Sequence, residues 1–83
     1  MTIPTIHNNG TSKARLLESL CEASQAIDLA YQAVKATYPN GRDYYPQGPD
    51  VIRKAEDEHL SRLLRLDEVK DEIDMLIEAI DAS

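Results

Sequence analysis

The sequence predicts an all-α fold, an antiparallel two-helix hairpin behind an extended N-terminal arm, assembling into a homo-oligomeric helical bundle. Two stretches carry apolar residues at the three- and four-residue spacing of a helix, not the alternation of a strand. Pro39, Asn40, Gly41, Pro46 and Gly48 gather between them, and no Gly or Pro follows Pro49. Of the 83 residues, 42% are hydrophobic, enough for a core and too many for a disordered chain. One domain spanning 1–83 is expected.

Residues 1–11 form the arm. Met1–Ile6 lacks the basic start and apolar core of a secretory signal. The polar run His7-Asn8-Asn9-Gly10-Thr11 then leads into a helix N-terminus, where free amides can hold an anion and Gly10 would allow close approach. Plain helix capping by Thr11 or Ser12 explains the same residues without a ligand. The first helix is expected over 12–37. Its seam is Leu17, Leu20, Ile27, Tyr31, Val34 and Tyr38, interrupted by Ser24, with Leu16, Ala23 and Ala30 widening it. Pro39 disfavours helical geometry at Tyr38 and ends the run.

A polar loop is expected over 38–48 and a second helix over 49–81. Proline suits a first helical turn, and Asp50 complements the positive end of the helix dipole. The second seam runs through Ile52, Ala55, His59, Leu63, Leu66, Val69, Ile73, Leu76 and Ile80. Apolar residues remain off the seams, Leu60, Leu64 and Ile77 among them. A lone core below about 80 residues is marginal without metal, disulfides or association. Metal-ligand spacings and cysteine pairs are both missing, so association is expected, most simply two hairpins forming a four-helix bundle.

Charge is unevenly spread. Up to Leu66 acids and bases balance, and the whole net charge of −6 falls in the last 17 residues. Nucleic-acid polymers are bound by dense Lys/Arg patches, so neither DNA nor RNA is an expected partner. The acidic run reads as a solvated helix face. No apolar run approaches the roughly 18–20 residues that cross a bilayer, so no membrane partner is expected. A single cysteine, Cys21, fits a reducing cytoplasm.

The loop is the richest segment chemically. It holds Tyr38, Tyr44 and Tyr45, the pair Arg42 and Asp43, and the amides Asn40 and Gln47. Asn40-Gly41 suits a tight turn, and the prolines stiffen the remainder. Tyrosine can stack on a base, Arg42 can pair with phosphate or carboxylate, and Gln47 or Asn40 can read an edge. The competing reading is a structural cap, with Tyr44 and Tyr45 plugging the bundle end while Arg42 and Asp43 pair locally. The arm and the loop lie at opposite ends of one hairpin. His7, Asn8, Asn9 and Thr11 would therefore meet the loop only across a subunit boundary.

No enzyme signature emerges. Cys21 reads as a small buried hydrophobe and His59 as a hydrogen-bonded core or interface histidine. Neither joins a convergent set of nucleophile, base and orienting group. No metal and no cofactor is expected.

The motifs His-Asn-Asn-Gly-Thr-Ser and Pro-Asn-Gly-Arg-Asp-Tyr-Tyr-Pro-Gln-Gly-Pro resemble those of short, mostly uncharacterised proteins of tailed phages and prophages. The resemblance implies an accessory protein of the host bacterial cytoplasm. By analogy of class, it implies one that counters host defence by sequestering a nucleotide signal. Combined with the residues, the expected activity is non-enzymatic capture of a small anionic, nucleotide-like ligand. The alternative is a protein-interaction module that blocks or adapts a host or phage protein.

Overall fold

A computed structural model describes residues 1–83 and contains three α-helices, one 3-10 turn and no strand. Helix α1 spans Lys13–Lys35. Its cap is Ser12, whose Oγ accepts from the Arg15 amide at 3.2 Å, so one of the four free amides is satisfied. The helix closes at Ala36, one residue before Thr37, whose hydroxyl donates to the Val34 carbonyl at 2.6 Å.

The connection departs from the expected plain loop. Asn40 does not open a tight turn; its Oδ1 accepts from the Arg42 amide at 3.0 Å and starts a short helix, α2, Gly41–Tyr44. A 3-10 turn, Tyr45–Gln47, follows directly. Gly48 then takes φ +108°, a backbone state that side chains resist, and redirects the chain. Helix α3 spans Val51–Asp81. It starts two residues later than predicted, because Pro49 and Asp50 form the preceding turn and the Asp50 side chain makes no capping bond.

Helices α1 and α3 lie side by side and run in opposite directions. Lys13 Nζ donates to the carbonyls of Asp81 at 3.0 Å and Ser83 at 2.8 Å. Midway, Ser24 Oγ donates to Asp74 Oδ1 at 2.6 Å. Next to the connection, the Tyr38 hydroxyl donates to Glu56 Oε2, and the Tyr38 ring meets His59 edge-on at 5.3 Å between centroids. The molecule is a rod of 61 × 20 × 18 Å.

A rod two helices thick buries little. Only Ser24, His59, Leu63 and Ile80 are buried. Ile52, Ala55, Leu66, Ile73 and Leu76 of the predicted seam are half-buried, but Val69 stays 48% exposed. Two expectations are corrected. Cys21 is exposed and not a buried hydrophobe, since two helices alone leave most of the surface of α1 uncovered. Ser24 does not merely interrupt the seam; it is buried with its hydroxyl partnered. The acidic run is likewise not all solvated face. Ser24 first, then Lys70 at 2.9 Å, holds the Asp74 carboxyl below its ordinary value.

Candidate functional site

The connection between α1 and α3 shapes two clefts that share one wall. Asn40 capping turns α2 so that Tyr44 is half-buried between them. The first cleft, about 290 Å³, has Tyr44 and Gln47 on the connection side and Thr37 and Pro39 beyond the end of α1. Its other wall is α3, which contributes Val51, Ala55 and the charged series Lys54, Glu58 and Arg62. Those three charges recur every fourth residue, so one helical stripe presents all of them. Arg62 and Glu58 approach to 3.8 Å with both side chains about half exposed, a weak pair. Lys54 has no carboxylate within ion-pair distance. The wall is thus polar, with two cations against one anion.

The second cleft, about 280 Å³, is apolar. Gly41, Tyr44, Tyr45, Gly48, Pro49 and Ile52 line it. Tyr45 is 83% exposed in the single chain.

Of the residues the sequence singles out, the structure brings Tyr44 and Gln47 together in the first cleft and Tyr44 and Tyr45 in the second. Arg42 and Asp43 are exposed and line neither, and no ion pair joins them. Asn40 has its side-chain oxygen engaged in capping. The arm residues do not approach the clefts, because the 23 residues of α1, about 35 Å, stand between. There the chain turns, with the Gly10 amide donating to the His7 carbonyl at 3.2 Å. The space over Gly10 is taken by the chain itself: an added Cβ would sit 2.8 Å from His7 Nε2. Asn8, Asn9 and Thr11 are exposed around this turn.

No protein-family model matches the chain, and no curated protein or solved structure matches it either. The chemistry is therefore read from the residues alone. The i, i+4, i+8 spacing of Lys54, Glu58 and Arg62 is legible in the sequence but reads like any solvated helix face. No trio of His, Cys, Asp or Glu side chains is placed to hold a metal. No helix is long and apolar enough to cross a membrane.

Tyr38 and Glu56 form a polar pair beside the connection, outside both clefts. Hydrogen bonding to Glu56, aided by desolvation, raises the Tyr38 hydroxyl above its ordinary value. His59 is 1% exposed, and neither ring nitrogen has a hydrogen-bond partner. The expectation of a hydrogen-bonded histidine fails here. The ring is held by packing against Tyr38 alone among aromatic groups.

Proposed function

We propose that this chain is a non-enzymatic binding protein that captures a small anionic, nucleotide-like ligand at its connection end. The observation that carries the reading is the cleft that Tyr44 and Gln47 line together with Lys54 and Arg62, whose two charges outweigh that of Glu58 between them. An aromatic face takes a planar base, an amide reads its edge, and two cations meet a phosphate or carboxylate. The volume, about 290 Å³, suits a ligand of mononucleotide size or one half of a larger molecule.

The reading includes assembly. Two-helix hairpins associate into a homo-oligomeric bundle, and the arm of a neighbouring subunit, with His7, Asn8, Asn9 and Thr11, completes the site. Arg42 and Asp43 then serve at its rim. With the motif resemblance to phage and prophage accessory proteins, this makes sequestration of a host defence signal the biological role, in the bacterial cytoplasm.

Calorimetry against mononucleotides, linear dinucleotides and cyclic dinucleotides tests the reading. Binding by the wild type, weakened about ten- to hundredfold by Lys54→Ala, supports it. Indifference of the wild type to the whole panel overturns it. One observation favours a second reading: exposed Tyr45 beside an apolar cleft is the kind of anchor that docks protein segments. A host protein bound directly and lost with Tyr45→Ala would favour that module.

A further inference from the structure

One long side of the rod is apolar and half-buried, with Val69 its one exposed large side chain. On α3, Leu66, Val69, Ile73 and Leu76 fall on one stripe, and none is buried. On α1, Ala23, Ala30 and Val34 fall on the stripe beside it, also unburied. The two stripes meet in a groove of about 360 Å³, where Val34 faces Leu66 and Val69. Arg62 and Arg65 flank this groove. The exposed surface of the chain is 6414 Å², against about 5,000 Å² for a compact protein of this mass. The excess reflects the 61 × 20 × 18 Å rod, whose long side is extensive enough to supply the roughly 800 Å² that each partner of a stable dimer contributes.

Charge decides the occupant and its direction. The arm half of the rod, residues 1–28 and 67–83, carries ten acids and three bases. The connection half, 29–66, carries five acids and six bases. The halves are thus net −7 and +1. A second copy laid parallel would stack −7 on −7; an antiparallel copy removes that repulsion by setting each acidic half against the other's near-neutral half, net +1.

We infer that the groove face packs on the same face of a second copy of this chain, antiparallel, with the two-fold axis passing beside Val69. Val69 lies near the middle of the stretch of α3, 56–81, between the Tyr38–Glu56 and Lys13–Asp81 contacts. The α3 stripes of the two copies then overlap about Val69, between residues 66 and 71. Arg65, which has no carboxylate partner within its own chain, comes opposite Glu72 of the partner subunit. The same operation carries each copy's arm toward the other's cleft. The inference rests on the assembly part of the proposed function and not on its ligand.

Sedimentation equilibrium without ligand tests it, with circular dichroism as the control for folding. The wild type is expected to dimerise, Arg65→Glu to weaken the dimer at least tenfold, and Arg65→Glu with Glu72→Arg to recover it. In a second chain, Cys21→Ser with Val69→Cys should form a disulfide-linked dimer on mild oxidation. A wild type that stays monomeric at every concentration overturns the inference, as does a charge swap that fails to recover the dimer. Monomers that still bind nucleotide would refute the assembly alone, whereas dimers indifferent to nucleotide would refute only the ligand.

Discussion

Ser24 and Asp74, fifty residues apart in sequence, are joined across the two long helices by a hydrogen bond of 2.6 Å from Oγ to Oδ1. Lys70 holds the other carboxylate oxygen at 2.9 Å, so the carboxylate is shared between the helices. This small polar layer is the mid-length tie of a rod with very few buried side chains.

Removing the hydroxyl should be felt. Ser24→Ala is expected to lower the melting temperature by roughly 4–8 °C, the shift that about 1 kcal/mol produces in a chain of this size. The Asp74 carboxyl is depressed by Ser24 and Lys70, so its stabilising contribution is present above the ordinary carboxylate range and lost as pH falls through its lowered value. Wild type should therefore lose stability on acidification more steeply than Ser24→Ala. Thermal melts between pH 7 and pH 2 compare the two slopes, and parallel curves would refute the tie.

His59 leads to the opposite sign. Two buried ring nitrogens without partners are a standing cost. His59→Phe keeps a ring for Tyr38 to meet and removes both polar atoms. We expect it to raise stability by about 1 kcal/mol in urea titrations. A loss of stability would mean that the ring nitrogens have partners in solution.

Asn40 acts through geometry. Asn40→Ala removes the cap that starts α2 and should loosen Tyr44, weakening nucleotide capture several-fold with little change in melting temperature. Asn40→Ser retains a capping oxygen and should recover most of the affinity. If both variants bind equally poorly, Asn40 touches the ligand directly.

The cleft ranks the cations. Lys54→Ala should cost about ten- to hundredfold in affinity, the worth of one charge-assisted contact. Arg42→Ala should cost less, because Arg42 stands outside the cleft walls. Calorimetry with the tightest nucleotide of the panel gives both numbers, and the reverse order would move the site to the exposed side of α2.

The helical spacing of Leu17, Leu20, Ile27 and Val34, and of Leu63, Leu66, Ile73 and Ile80, made the two long helices legible. Periodicity needs several turns to register, so the four residues of α2 left no such trace. Asn40-Gly41 fits a turn and a helix start equally well, and the Arg42 amide decides between them. Tyr44 and Gln47 were visible as chemistry in the sequence. Lys54 and Arg62 were not, because a cleft wall and a solvated stripe have the same spacing until Tyr44 stands opposite. Ser24 reads as a flaw in the seam until Asp74 is found across from it.

The ties between α1 and α3 also set an order of assembly in time. Tyr38 and Glu56 are 18 residues apart, Ser24 and Asp74 50, and Lys13 and Ser83 70. Closing the longest of these loops from an open chain costs about 1.2 kcal/mol more entropy than closing the shortest. Each tie shortens the loop left for the next. The chain therefore zips from the connection outward and frays from the arm inward. Amide exchange should be slowest around His59 and fastest around Lys13, leaving the cleft end standing when the far end has already opened.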